Sequence, residues 1–188
     1  MSHPFPPRYN GHDASFRQAL VGGNYGLLAA ATYEPRPDLY SSILWRQLFG
    51  DVVLEAAFEG VGGSGTQGDL RTYAACARPT PFLRLPAAPL PRGAVAVAVV
   101  NLGDAEVPLD LGEHETWQWL LTARDDASPT AALNGRPVAA LEEAAPGLPP
   151  AVVANVSLPA RSYAFLVLPA AAHAACVAPP PREEASAS

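Results

Sequence analysis

The chain has 188 residues, of which 49% are hydrophobic, so it is long enough for one ordinary domain with its own core. Its formal net charge is −6, and its 12 basic residues are all Arg and form no cluster, which argues against nucleic acid as a partner. The chain has no signal-peptide pattern and no apolar run long enough to span a bilayer. Taken literally, this absence predicts a soluble, cytosolic protein, an expectation that two cysteines complicate.

The N-terminal segment is polar and rich in Pro and His. Residues 1–14 are therefore predicted to form a disordered tail. His3, His12 and Asp13 have no metal-ligand spacing with a cysteine, so we predict no metal site and no cofactor.

The segment from Phe16 to Val21 is predicted to be a strand, and it ends at a glycine pair that is followed by Asn24 and Tyr25. Two interpretations are open. Paired glycines allow backbone N–H groups to approach a ligand closely, so the segment suits the rim of a binding site. Gly and Asn also dominate ordinary turns, and spacing alone favours a simple strand-to-helix turn.

A helix is predicted from Pro37 to Phe49, with Pro37 and Asp38 at its start and Gly50 just past its end. Leu39, Ile43, Leu44 and Leu48 recur at helical spacing and form an apolar face.

From residue 51 onward the apolar period is two, which is typical of strands. Asn134-Gly135 is predicted to be a tight hairpin turn. At least six short strands after one helix indicate an antiparallel sandwich, to which the helix does not belong. The predicted strands are Val52–Phe58, Leu70–Cys76, Ala94–Val100, Glu115–Leu121, Val152–Leu158 and Ser162–Leu168.

With these segments identified, the chain resembles the C-terminal part of heparanase-like glycoside hydrolases of family 79, in particular the plant-type branch. Seven soft motifs occur in the family's order between about residues 15 and 176: RQALVGGNYGLL, PDLYSSILWRQLFG, LRTYAAC, VAVVNLG, ALNG, LPARSYAFLVLP and the terminal Cys176.

The resemblance implies a mainly β fold in which residues 51–176 form an antiparallel β-sandwich. Residues 15–50 would be the last βα unit of a (β/α)8 barrel whose other units are missing, and residues 177–188 a disordered tail. In the family, the active site lies in the barrel, at the C-terminal ends of its strands. The family's Gly-Asn-Tyr stretch lines the subsite for the uronic acid carboxylate, which the resemblance carries over to Gly23, Asn24 and Tyr25.

The family's retaining mechanism needs two carboxylates about 5–5.5 Å apart. Both family glutamates precede the segment represented here, so no catalytic residue is assigned and the isolated chain is predicted to be inactive. No local carboxylate has an apolar pocket visible in the sequence that would raise its pKa for acid catalysis. The carboxylates considered were Glu34, Asp38, Glu55, Glu59, Glu142 and Glu143.

Cys76 and Cys176 match family cysteines that pair, and the resemblance therefore implies a disulfide and an oxidising compartment. Asn155-Val156-Ser157 is an N-glycosylation sequon and agrees with secretion. The resemblance thus predicts an extracellular, secretory or lysosomal–vacuolar location, with the signal peptide upstream of the missing barrel.

Three functions are distinguished. The first is the C-terminal piece of a secreted endo-β-glucuronidase-type hydrolase acting on uronic-acid-containing polysaccharide or proteoglycan, with the missing barrel as its partner. The second is a non-catalytic carbohydrate-binding or interaction module, in which Trp117 and Trp119 stack on sugars if they are exposed, although core positions are favoured for both. The third is a decaying gene product with an exposed apolar helix face.

Overall fold

In the computed structural model of the chain, the described residues are 19–22, 26–56, 66–67, 69–79, 90–112, 114–124, 130–138 and 148–177. They form a mainly β, antiparallel structure preceded by one helix, which confirms the predicted fold class. The predicted tail at residues 1–14 lies outside the described residues, as do residues 178–188 of the predicted C-terminal tail.

The elements follow one another in a simple order. Helix α1 comes first, the strands follow, and a short helix, α2, ends the described part of the chain. Their bounds are α1 Pro37–Leu48, β1 Phe49–Leu54, β2 Thr66–Gln67, β3 Leu70–Ala77, β4 Val95–Asn101, β5 Val107–Leu109, β6 Thr116–Thr122, β7 Ala132–Leu133, β8 Arg136–Pro137, β9 Ala151–Val153, β10 Val156–Leu158, β11 Ser162–Leu168 and α2 Ala174–Val177.

Nine of these strands form one sheet in the order β1-β3-β4-β11-β6-β7-β8, with β2 paired to β3 and β9 paired to β6. The remaining strands, β5 and β10, form a separate two-stranded sheet. Strand β11 lies between β4 and β6 in the large sheet, paired with β4 along residues 162–168 and with β6 along residues 163–167. The longest apolar strands are therefore the interior ones, as expected where both faces are covered.

The large sheet is covered on both faces, and β11 shows this by strict alternation of its side chains. Phe165 and Val167 belong to a core cluster with α1. Ala164 and Leu166 belong to a second cluster with the two-stranded sheet. Successive side chains of a strand point to opposite faces, so one strand supplies both cores.

Helix α1 packs its apolar face on the large sheet, with Leu44 and Leu48 fully buried and Tyr40 nearly so. The apolar helix face that was predicted to be exposed in an isolated chain is therefore covered by the chain's own sheet. The predicted division of the chain at residue 50 stays a prediction, but it falls inside β1, whose first residue, Phe49, shares a core cluster with α1. Trp45 stacks on Phe49 with ring centroids 3.9 Å apart, as a packing residue would.

Gly50 has a different role from the predicted one. Helix α1 ends at Leu48 and the chain enters β1 at Phe49 without a loop, so Gly50 is a strand residue and not the residue that terminates the helix. A Cβ at Gly50 would lie 2.8 Å from the carbonyl oxygen of Cys76. Glycine is needed here because the backbones of β1 and β3 approach closely.

The predicted single strand from Val152 to Leu158 is two strands. Bends at residues 154 and 155 separate β9, which pairs with β6, from β10, which pairs with β5. The alternation of apolar and polar residues predicted extended backbone correctly. The alternation does not change where the chain passes from one sheet to the other, so the sequence gives no sign of the passage.

The predicted Asn-Gly turn is confirmed between β7 and β8. Asn134 and Gly135 have φ values of 49° and 77°, the positive values that a type I′ hairpin requires at both central positions. The side chain of Asn134 also accepts a hydrogen bond from the Leu120 N–H at 2.9 Å and donates one to the Gln118 carbonyl at 3.1 Å. The turn is thereby fastened to β6.

The structure contains the disulfide between Cys76 and Cys176, which the resemblance implied and which closes a sequence separation of 100 residues. It joins β3 to α2. Backbone hydrogen bonds at Gly93 reinforce the attachment: its N–H donates to the Cys176 carbonyl at 3.2 Å, and its carbonyl accepts from the His173 N–H at 3.0 Å. The segment around Cys176, at the end of the described residues, is thus fixed against the large sheet.

Candidate functional site

The residues predicted to face a ligand, Gly23, Asn24 and Tyr25, lie outside the described residues. The structure describes the backbone on both sides of them, at residues 19–22 and from residue 26 onward. Their assignment to a carbohydrate subsite therefore stays a prediction.

The two flanking glycines are in direct contact. A Cβ on Gly26 would collide with the carbonyl oxygen of Gly22 and would lie 3.1 Å from the Leu28 carbonyl oxygen. Gly22 has a φ of 83°, a backbone conformation that L side chains rarely adopt. Both glycines are needed to bring residues 22 and 26 into contact. The two residues that flank the predicted ligand-binding segment are therefore adjacent in space.

Leu28 joins the flank to the start of the helix through backbone bonds. It forms a parallel bridge with Val21 and an antiparallel bridge with Pro35, and its N–H donates to the Leu20 carbonyl at 2.9 Å. Of the predicted strand Phe16–Val21, residues 16–18 lie outside the described residues, and Val21 makes this single bridge in the described part. Leu20 and Val21 are among the exposed large apolar side chains.

The start of α1 is tied to the large sheet by a tyrosine that the sequence analysis did not single out. The Tyr163 hydroxyl donates to the Pro37 carbonyl at 3.3 Å, across 126 residues of sequence. Burial raises the pKa of Tyr163 from 10.0 to about 12; a hydrogen bond with Ser41 opposes this shift and the charge of Asp38 adds to it. The phenol is therefore neutral at physiological pH and acts as a hydrogen-bond donor to the helix.

Three of the six candidate carboxylates lie among the described residues, and none of these three is buried. Glu34 is exposed and accepts a hydrogen bond from the Thr32 hydroxyl at 3.0 Å. Asp38 lies in the first turn of α1, where a negative charge favours the helix dipole, and Glu55 is exposed on the surface. The other three candidates, Glu59, Glu142 and Glu143, lie outside the described residues.

Trp117 and Trp119 are core residues, as favoured from sequence. Their side chains are 5% and 0% exposed and belong to the cluster beneath α1. The Trp119 indole N–H donates to the Leu148 carbonyl at 2.6 Å, which satisfies its buried polar atom. Neither ring presents a face to a sugar.

Asn101 is a buried polar residue that connects three parts of the fold. Its amide nitrogen lies 2.8 Å from the Ala105 carbonyl oxygen, 3.2 Å from that of Leu158 and 2.9 Å from that of Pro159. Its carbonyl oxygen accepts from the Gly103 N–H at 3.0 Å. The sequence signal that could have identified Asn101 is its place as the polar residue at the end of the most apolar strand, β4.

Within the described ranges, no group of three or more His, Cys, Asp or Glu side chains is placed to hold a metal ion. None of the helices in the described part of the chain has the length and apolarity needed to cross a membrane.

Comparison with known proteins gives consistent relatives. The chain is 39% identical over 89 residues to heparanase-like protein 3 of Arabidopsis thaliana, a match that covers 47% of this chain and 16% of the relative. It is 45% identical over 62 residues to baicalin-β-D-glucuronidase of Scutellaria baicalensis, covering 33% and 11%. Its match to heparanase of Gallus gallus is 31% identical over 182 residues, covering 89% of this chain and 32% of the relative.

The chain therefore spans no more than about a third of the length of these relatives. No protein-family model matches it. Among solved structures, the family 30 subfamily 8 xylanase Xyn30A of Clostridium acetobutylicum aligns with a TM-score of 0.41 at 17% identity, covering 78% of this chain and 31% of that one.

Proposed function

Because the chain is related in sequence to the heparanase-like glycoside hydrolases, we propose that it forms the C-terminal part of such an enzyme and does not hydrolyse glycosides by itself. The observation that carries the proposal is the match to Gallus gallus heparanase, which takes in 89% of this chain but 32% of the relative. A segment that is matched along its own length and covers a third of its relative fits one part of a larger enzyme.

The proposed role is to complete the barrel and to brace it. The flank around Gly22 and Gly26 would close the last barrel strand, and the exposed Leu20 and Val21 would pack against the preceding barrel units. Helix α1 is held on the large sheet by its buried face, so the sheet would fix the position of this last βα unit. A rigid support of this kind is what a precisely positioned loop needs.

The proposed substrate is a uronic-acid-containing polysaccharide or proteoglycan glycan. Asn24 and Tyr25 would supply an amide and a phenol to the uronate, and Gly23 would let backbone N–H groups approach its carboxylate. The two glutamates of the retaining mechanism would lie in the missing barrel. The Cys76–Cys176 disulfide is consistent with a secretory or lysosomal–vacuolar location, because disulfides persist in oxidising compartments.

The test is a chimera. This chain replaces the matched segment of Arabidopsis heparanase-like protein 3, and turnover of an aryl β-glucuronide is measured for the chimera, for the truncated parent and for this chain alone. We expect turnover by the chimera only. A chimera with Tyr25→Phe should lose affinity for the glucuronide while keeping its fold, because the phenol hydroxyl is removed and the ring is retained.

The control is Tyr33→Phe in the same chimera. Tyr33 is exposed, outside the predicted subsite, and loses the same hydroxyl. Turnover by this chain alone would contradict the proposed dependence on the barrel. A soluble, folded chimera without activity would contradict the proposed role as the C-terminal part.

The carbohydrate-binding alternative was based on exposed tryptophans at positions 117 and 119. Both are buried, so the feature that favoured this alternative is not available to a ligand. An isolated module would therefore need another sugar-binding surface.

A further inference from the structure

The sequon Asn155-Val156-Ser157 lies where the chain leaves the large sheet. Asn155 occupies the bend between β9 and β10 and its side chain is exposed. Val156, in contrast, is 4% exposed and belongs to the cluster beneath the two-stranded sheet. The folded chain thus holds the asparagine at the surface and anchors the residue that follows it.

The serine of the sequon is also held in place. Ser157 lies opposite Pro108 in the pairing of β10 with β5, and its hydroxyl donates to the Glu106 carboxylate. These contacts fix the backbone on the C-terminal side of Asn155. A group attached to the Asn155 amide would therefore extend from an ordered segment. A sequon at an exposed bend is the usual acceptor in a secreted protein.

Strand β9 next to this bend is an edge strand. Among the described residues it pairs with β6 alone, and no described strand lies along its other side. Val152, at the middle of β9, is 51% exposed. An open edge with an exposed β-branched residue favours association with a second strand unless something covers it.

We propose that Asn155 carries an N-linked glycan that covers the open edge of β9. In the attachment, the Asn155 amide nitrogen loses a proton and bonds to the anomeric carbon of an oligosaccharide linked to a lipid pyrophosphate. The bond from that carbon to the pyrophosphate oxygen breaks, and the lipid pyrophosphate leaves. The proposal needs passage through a secretory compartment but is independent of glycoside hydrolysis.

The experiment expresses the chain behind a cleavable secretory leader in cultured mammalian cells and compares its intact mass before and after peptide N-glycosidase F. We expect a mass increment that the enzyme removes, with conversion of Asn155 to Asp. Asn155→Gln and Ser157→Ala should both lose the increment. Asn10→Gln should keep it, because Asn10-Gly-His is not a sequon. A secreted protein with the unmodified mass would overturn the proposal.

The covering role is measured on the same material. Light scattering of the secreted protein should report a monomer before glycosidase treatment and a larger average mass after it, and Val152→Thr should reduce that increase. A deglycosylated protein that stays monomeric at the same concentration would refute the covering role even if the glycan is present.

Discussion

Replacing Leu44 by Ala tests whether α1 and the large sheet share one core. Leu44 is fully buried within the cluster that contains Phe165 and Trp119. The change removes about three carbon atoms, worth about 2.4 kcal/mol of transfer free energy at about 0.8 kcal/mol each. The cavity left behind adds to this, and Leu-to-Ala changes of this kind cost about 2.7–5 kcal/mol in total.

We therefore expect the free energy of unfolding to fall by about 3–4 kcal/mol. For a chain of this size, this corresponds to a Tm lower by about 6–16 °C, at about 2–4 °C per kcal/mol. The assay is urea and thermal unfolding followed by circular dichroism and by tryptophan fluorescence. Both probes should report one shared transition, because Trp119 lies in the same cluster as the helix.

The matched control is Arg46→Ala on the exposed side of the same helix, for which we expect a loss below about 1 kcal/mol. If Leu44→Ala costs no more than this control, the helix is not docked on the sheet as described. If fluorescence and helical signal separate into two transitions, α1 unfolds apart from the sheet and the predicted division at residue 50 gains support.

Replacing Cys76 and Cys176 by Ser should lower the free energy of unfolding by about 2–5 kcal/mol, the range for a native disulfide, with about 4.7 kcal/mol the chain-entropy value for a loop of about 100 residues; urea unfolding checks this, and a change below about 1 kcal/mol would contradict a stabilising role for the bond. Asn101→Ala leaves buried carbonyls without their donor and should cost about 2–4 kcal/mol, whereas a cost near zero would refute its connecting role. Folding raises the pKa of Tyr163 from 10.0 to about 12, so its contribution is intact below pH 10 and is lost as pH rises towards 12. The free energy of unfolding should fall by roughly 2 kcal/mol more than in Tyr163→Phe between pH 10 and pH 12, and parallel pH profiles would contradict the assignment. Gly50→Ala should cost about 1–3 kcal/mol because its Cβ would crowd a carbonyl oxygen of β3, and a neutral result would mean that β1 and β3 are farther apart.

Local pattern predicted the long elements well. The apolar runs of β4 and β11 are strong signals because both faces of these strands are covered, so almost every position is apolar. The Asn134-Gly135 turn was predicted for a similarly local reason, because two consecutive positive φ values are available to few residue pairs.

The features that the sequence pattern did not predict depend on contacts between residues far apart in the chain. The break between β9 and β10 follows from pairing with β6 and β5, and the pairing partners are not visible in the segment itself. Gly50 was assigned to a helix end because its contact with β3 is non-local. The disulfide was predicted only through the resemblance, since two cysteines 100 residues apart carry no local signal for pairing.

The residues predicted to bind the ligand remain a hypothesis based on the resemblance. Gly22 and Gly26 themselves lie in contact, and this much follows from the freedom of glycine to adopt conformations and approaches that other residues avoid.

The direct junction between α1 and β1 limits how this protein can vary in length. One residue inserted there would rotate the helix face by about 100° if β1 keeps its register, or turn every side chain of β1 to the opposite face if α1 keeps its position. Either change removes one buried apolar face from the shared core. Related chains should therefore gain and lose residues in their connecting segments and keep the spacing between Leu44 and Phe49 constant.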